Sequence, residues 1–326
     1  MGIRIVIRIV INRVLQAIPL LLGIILINFI LINIAPGDPV TLMLGPTPVS
    51  EEYIERVRQD LGLDKPFSTR LVTYISNAIR GDLGISYAYR QPVLKIVFSR
   101  IPATLLLMGV AYLLSAIIGI LLGTISSYRP GSLIDNASMI IALTGYSVPA
   151  FWTAFLAILL FSIKLGLFPV GGMVNVRVPS EGVAHIMDVL HHMVLPVLVL
   201  TFFFMALTTR LTRGSMLEVL HSDYITLARS KGLSEKRVIF RHALPNAIIP
   251  VLTILGLQFG YMLGGAVLTE TVFSWPGIGR LMVESVGRRD FPLLMGIFIT
   301  TSIFAIVANL ITDLVYVLIN PRIRVQ

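Results

Sequence analysis

Six apolar runs, each about as long as a bilayer is thick, limit what this chain can fold into. They cover residues 14–34, 102–126, 137–162, 193–209, 247–269 and 293–319. A helix needs ~20 mostly apolar residues to cross a hydrocarbon core, and there every backbone polar group must be satisfied within the segment. Helices are predicted for all six runs, and an all-α integral membrane protein for the whole. Hydrophobic residues make up 56% of the 326 positions and charged residues only 13%. That is more apolar surface than a soluble core of this length needs.

The first run follows Arg4, Arg8 and Arg13 and so superficially resembles a secretory leader. It is too long for one and no small-residue cleavage site follows, so it is read as a retained first span, with Pro19 near its start. Ser147 and Pro149 sit midway along the third run, where proline removes a backbone hydrogen bond and predicts a kink. Such a kink either lines a path or accommodates packing, and both residues are pathway candidates. The sixth run carries two further candidates, Asn309 and Asp313. An acidic residue inside a span is a functional candidate by default. Asp313 lies about two turns from the inner end, so it either faces the path or pairs with Arg210 or Arg322. Gly256, Gly260 and Gly264 recur every fourth residue of the fifth run, a spacing that lets helices approach closely. That face packs either inside the chain or against a second membrane subunit.

A net charge of +9 raises the question of nucleic acid. The cations are interleaved with the apolar runs and no aromatic-studded basic patch occurs, so no nucleic-acid partner is expected. With the N-terminus in the cytoplasm, most lysines and arginines of the short loops fall inside, including those of residues 210–246. Both termini are therefore predicted to be cytoplasmic. Residues 35–100 form a polar, nearly neutral excursion to the outside, in which Asp38 and Asp82, each beside glycine, are read as turn residues. Residues 164–190 are read as a second external loop. His185, His191 and His192 lack a zinc-binding spacing and are read as interfacial rather than as metal ligands. Trp275 is also assigned to a membrane interface. The sequence has no cysteine, so disulfides, thiolate metal sites and cysteine nucleophiles are excluded. It has no GxxxxGK[ST] phosphate loop and no nucleophile–base arrangement, so the chain is expected to be a conduit and not an enzyme.

Residues 215–250 are the one long charged stretch between two apolar runs. Leu217, Leu220, Tyr224 and Leu227 or Ala228 recur at helical spacing and predict an amphipathic helix. Gly232 supplies the left-handed residue that commonly ends a helix, Ser234 is placed to cap the next one, and Glu235 falls in its first turn. The predicted order is helix, tight turn, helix.

Ala228, Gly232 four positions on, and Leu244-Pro245 after a fixed gap resemble the cytoplasmic signature loop of the membrane subunits of ATP-driven, binding-protein-dependent importers, the ABC transporters. The run DYITLARSKGLSEKRVIFRHALPNAIIPVLT is similar to the dipeptide/oligopeptide/nickel permease branch, as are TETVFSWPGIGR at 269–280 and the turn-rich stretches of 35–100. Thr226 and Leu227 depart from the general signature, which has acidic and small residues there, and His242 stands in place of isoleucine. The resemblance covers nearly the whole chain. It implies the fold of a type I importer permease, with six transmembrane helices and a small external domain between helices 1 and 2. Residues 1–34 would be the N-terminus and first helix, 35–100 the external domain, and 101–326 a five-helix core carrying a cytoplasmic coupling loop at 210–246. The resemblance also implies that Asp223, Tyr224, Ala228, Arg229, Gly232, Leu233, Leu244 and Pro245 couple to an ATPase subunit.

The implied partners are a homologous second permease, two ATP-binding subunits that hold ATP and magnesium, an external solute-binding protein and the lipid bilayer. No cofactor is expected in this chain itself. The implied role is half of a translocation pathway in the cell membrane, carrying di- or oligopeptides, with oligosaccharides or nickel as alternatives within the family. A self-contained secondary transporter is the rival from another class. Against it stand the few ionisable residues in the spans and the lack of paired broken helices in two matching halves.

Overall fold

The computed structural model describes residues 2–34, 40, 50–60, 62–259 and 266–319. The described chain forms helices α1 (Gly2–Ile34), α2 (Glu51–Asp60), α3 (Phe67–Ile79), α4 (Val93–Tyr128), α5 (Leu133–Ser147) and α6 (Ala150–Ala157), the last continuing as a π-helix to Lys164. After these come α7 (Gly182–Leu220), α8 (Asp223–Ser230) and the short α9 (Glu235–Arg237), which leads through a π-helix into α10 (Leu244–Phe259). Helices α11 (Val267–Val272), α12 (Ile278–Gly287) and α13 (Phe291–Ile319) complete the chain. No strand forms among the described residues. Ile85 and Pro92 make an isolated antiparallel bridge.

Five helical segments are long and apolar enough to cross a membrane, and the α5–α6 pair makes a sixth span if its two legs are counted together. Each of the six apolar runs thus contains helix, but the bounds shift: the second span starts at Val93, the fifth is Glu235–Gly256 and takes in residues 235–246 of the expected loop, and the third and fourth depart further. Proline acts in the third run as more than a kink. It disfavours helical geometry for the residue before it, and Val148 is extended (φ −87°, ψ 127°), so α5 stops at Ser147 and α6 restarts from Pro149. The two legs are bent by 103°. The fourth run extends in both directions as the 39-residue α7, which takes in residues 182–190 of the expected loop.

Helix α4 lies along α7. Close approach is possible because Gly119 and Gly123 carry no Cβ; one at Gly123 would sit 2.6 Å from the Thr209 carbonyl oxygen and from Thr212 Cβ. Nearer the N-terminal end of α4, Leu107, Met108 and Ala111 pack with Met193, Val197 and Leu200 of α7 around Trp275. Trp275 is fully buried and donates its indole N–H to the Ala103 carbonyl at 2.8 Å, so it clamps the turn after α11 to α4 instead of standing exposed at an interface. Beside it the buried Glu270 accepts from Thr104 Oγ1 at 2.8 Å and from the Arg280 backbone N–H at 3.1 Å. The Trp275 and Glu270 polar groups are thus paired, as burial demands, whereas the Thr124 and Thr209 hydroxyls at the α4–α7 contact are buried without a partner among the described residues.

Within residues 35–100 the described parts are α2, α3 and the hairpin at 84–92. Helix α3 meets α1 through an edge-on Phe29–Phe67 contact at 5.2 Å between ring centroids. Buried Asp290 accepts from Ser86 Oγ at 2.5 Å and from the Ala88 N–H at 3.0 Å, which pins the hairpin to the start of α13. Asp82 accepts from the Gly84 N–H at 2.9 Å, the turn role expected of it, while Asp38 lies outside the described residues.

Candidate coupling site

The loop between α7 and α10 is a small folded unit with its own core. Met216 and Leu220 from the end of α7, Ile225 and Ala228 from α8, and Val238, Ile239, Ala243 and Ala247 are buried together. Leu233 and Leu244 pack against this cluster while remaining partly exposed. The predicted amphipathic helix is real, but it is interrupted. His221 ends α7 and Ser222 occupies the N-cap position of α8, with its carbonyl accepting from the Ile225 and Thr226 N–H groups at 3.1 and 3.2 Å. The Ser222 hydroxyl instead donates back to the Val219 carbonyl at 2.6 Å.

The interruption resets the helical phase. Ile225, which the unbroken spacing passes over, is fully buried, while Tyr224 and Leu227 are 43% and 56% exposed. Of the pair Leu227 or Ala228, it is Ala228 that faces inward. The cue lay in Ser222-Asp223, a cap residue followed by an acid in the first turn, which restarts the count at Ser222.

Gly232 ends α8 as its sequence position indicates. It has φ +74°, and its N–H donates to the Arg229 carbonyl at 2.9 Å. Ser234 takes up the N-cap position of α9, yet its side chain makes no capping bond. The turn is closed from outside by Arg229, whose Nε donates to Glu235 Oε1 at 2.8 Å and whose Nη2 reaches Oε2 at 3.4 Å. Tyr224 is tied to α10 through its hydroxyl, which accepts from Asn246 Nδ2 at 3.1 Å. At the base of the unit, Arg213 of α7 forms a two-pronged pair with buried Asp135 of α5 at 2.5 and 2.7 Å.

The eight residues assigned to coupling therefore divide in two. Ala228, Leu233 and Leu244 build the unit, and Gly232 shapes its turn. Asp223, Tyr224, Arg229 and Pro245 are exposed on it. Two apolar residues outside that set, Leu227 and Phe240 (45% exposed), are exposed as Tyr224 is, and so are Lys231, Lys236, Arg237 and Arg241 of the same unit. A surface that offers large apolar and cationic side chains together is suited to bind another protein.

The other candidates fall elsewhere. Ser147 and Pro149 are exposed at the break between α5 and α6. Gly256 packs inside the chain: a Cβ there would run into the Thr312 side chain of α13, and Thr312 Oγ1 donates to the Gly256 carbonyl at 3.1 Å. Gly260 and Gly264 lie outside the described residues. Asp313 does not pair with Arg210, and Arg322 lies outside the described residues. The partner of Asp313 is Arg13 of α1, with Nε 2.5 Å from Oδ2, while Arg210 lies over the Tyr146 ring at 5.9 Å. Asn309, one turn before Asp313, is exposed. His191 and His192 approach the backbone carbonyls of Leu167 and Asp188 at 3.0 and 2.9 Å, and no group able to hold a metal ion occurs among the described residues.

Comparison with known proteins agrees with this architecture. Residues 115–325 match the family described as binding-protein-dependent transport system inner membrane component, and residues 6–108 match the N-terminal region of such membrane components. The chain is 41% identical over 323 residues to the di/tripeptide transport system permease protein DppB of Pseudomonas aeruginosa, covering 95% of this chain and 96% of that one. It is 40% identical over 316 residues to the oligopeptide transport system permease protein AppB of Bacillus subtilis, covering 97% and 98%. Among solved structures, the MetNI methionine ABC transporter aligns with a TM-score of 0.54 at 15% identity, over 70% of this chain and 97% of that one, and so shares the type I importer permease fold. The chain belongs to the family of inner-membrane components of binding-protein-dependent transport systems, as a multi-pass permease subunit without enzymatic activity of its own.

Proposed function

We propose that this chain forms half of the translocation pathway of a peptide importer and that the unit around Gly232 receives the stroke of an ATPase subunit. The observation that carries the coupling role is the form of the unit. Its buried cluster makes α8 rigid, and its outer surface presents Tyr224, Leu227 and Phe240. Met216 and Leu220 tie it to α7, which at 1.5 Å per residue is a rod of roughly 58 Å reaching the outer side. A displacement delivered at α8 is carried along that rod. A free-energy source acts only through contacts that differ between two states, and this unit offers such contacts. ATP and magnesium belong to two ATP-binding subunits, a homologous permease completes the pathway, and an external solute-binding protein brings the cargo to residues 35–100 and the outer loops. Both termini and the coupling unit lie in the cytoplasm.

Peptide cargo is supported by the names of the two relatives at about 40% identity across nearly their full length. The test is reconstitution of this chain with the membrane, ATPase and solute-binding proteins that co-purify with it. ATP-dependent uptake of a labelled dipeptide is expected, with none when the ATPase subunits are left out. Uptake without them, or uptake of an oligosaccharide or Ni²⁺ in place of peptide, would overturn the reading.

A further inference from the structure

Two adjoining cavities run along the face where the α5–α6 break meets α7. The larger, about 440 Å³, is walled by Tyr112, Tyr146, Phe203, Phe204 and Gln258. The smaller, about 280 Å³, continues from Tyr146 and Leu207 toward the cytoplasmic end and finishes at Arg210. Tyr146 and Leu207 belong to both, so the two form one groove. Three observations separate this groove from a lipid-facing crevice. It is bordered by the break itself, with Ser147 and Pro149 exposed, and non-helical backbone at membrane depth is tolerated only against protein or water. Its wall includes Gln258, whose amide oxygen is buried without a partner. Its sole charged wall residue among those described is Arg210, which lies over Tyr146 and has no carboxylate in ion-pair reach among the described residues.

We propose that this groove is a transit site for peptide cargo: its aromatic wall takes the cargo's apolar side chains, and Arg210 draws the carboxylate end toward the cytoplasmic mouth. The inference rests on the peptide-import reading above. The chemistry selects the ligand class. A divalent cation would meet a guanidinium and none of the imidazole or carboxylate ligands it needs. A peptide brings a carboxylate for the arginine, apolar surface for the rings, and N–H groups for the unsatisfied Gln258 oxygen.

The chain lacks cysteine, so an introduced thiol is the only one it carries. Ala150→Cys and Leu207→Cys, both in the groove wall, are placed separately in the complete reconstituted importer, with any partner cysteines removed. Each is treated with a membrane-impermeant cationic thiosulfonate during ATP turnover, using peptide-loaded or empty solute-binding protein. Both thiols are expected to react from water, and peptide is expected to slow the reaction by at least about threefold, roughly 0.65 kcal/mol of protection. Rates indifferent to peptide, or thiols reached only by a lipid-soluble maleimide, would overturn the proposal. Arg210→Gln is expected to lower peptide uptake about tenfold at saturating loaded binding protein, with Arg210→Lys restoring most of it. Equal losses in both variants would remove the charge role. An importer that takes up no peptide at all would defeat the peptide reading, whereas peptide uptake without thiol protection would defeat only the transit site.

Discussion

Gly232 offers a clean test of coupling because its surroundings are empty. A Cβ built there meets nothing within 4 Å, so substitution causes no clash and the whole effect comes from the backbone, held at φ +74°. An ordinary L-residue in the left-handed region costs about 1–2 kcal/mol, asparagine less, and a β-branched residue more. The turn conformation competes with unwinding of the last turn of α8, which is held by the Lys231-to-Leu227 and Gly232-to-Arg229 backbone bonds of 3.1 and 2.9 Å. A penalty of ~1.4 kcal/mol shifts such a balance tenfold. The expected order of ATP-driven uptake is Gly232 above Gly232→Asn, above Gly232→Ala, above Gly232→Val, with valine reduced about tenfold or more. Insertion is expected to be intact in every variant, because the spans are untouched. The assay pairs uptake in proteoliposomes with ATP hydrolysis by the same particles, and uncoupling appears as hydrolysis retained while uptake falls. Full uptake by Gly232→Val would refute the reasoning. A loss with asparagine as deep as with valine would show that lost contact, not backbone geometry, is responsible.

The Arg13–Asp313 pair joins α1 to α13 and is partly exposed at both ends, so neutralising Asp313 alone is worth about 1 kcal/mol. Asp313→Asn is expected to lower the yield of folded chain modestly and to leave the uptake rate per folded molecule within about twofold, and exchange of the two residues is expected to recover the yield. Loss of uptake in well-folded Asp313→Asn would return Asp313 to the pathway. Gly123→Ala pushes a methyl group against the Thr209 carbonyl and Thr212, so an overpacking cost of about 1–3 kcal/mol is expected as a lower midpoint of thermal unfolding in detergent. Outside the membrane, burial works to raise the Glu284 carboxyl, but the hydrogen bond from Tyr89 at 2.9 Å and the charge of Arg280 outweigh it and hold the group below its usual range. The stability from Glu284 is therefore fully present above the free-glutamate value of ~4.3 and is lost as pH falls through the lower folded value. The unfolding midpoint of Glu284→Gln, compared with the parent between pH 6 and pH 3, is expected to fall less steeply.

The spans were legible because length and apolarity are all that a bilayer asks of a helix. What those measures do not encode is where a helix stops relative to the membrane. Helix α7 continues through residues 182–190 because Val189 and Met193 pack on α4, and that burial outweighs the polar composition that made the segment read as a loop. Proline at 149 announced a disturbance but not its size. The local rule fixes Val148 as extended, whereas the 103° bend also depends on Ala154 and Ile158 of the second leg packing with Leu195, Val199 and Phe273. An acid inside a span marks Asp313 in the sequence, yet its partner lies 300 residues away on α1, and that pairing is a property of helix packing.

The coupling loop shows the same division at finer scale. Gly232 was legible residue by residue, since positive φ is a local demand that glycine answers alone. The buried face was read one step out of phase, at Tyr224 instead of Ile225, because 3.6-residue counting holds only while a helix is unbroken. Ser222 breaks it, and from there Ile225 and Ala228, three apart, turn inward together. Tyr224 and Leu227 are thereby left outside, with Leu227 where the family's general signature has a smaller residue. On the proposed coupling role, these exposed apolar groups are the ones an ATPase subunit would cover. Tyr224 and Leu227, which unbroken helical spacing places in the core, are therefore the side chains that the proposed coupling contact would use.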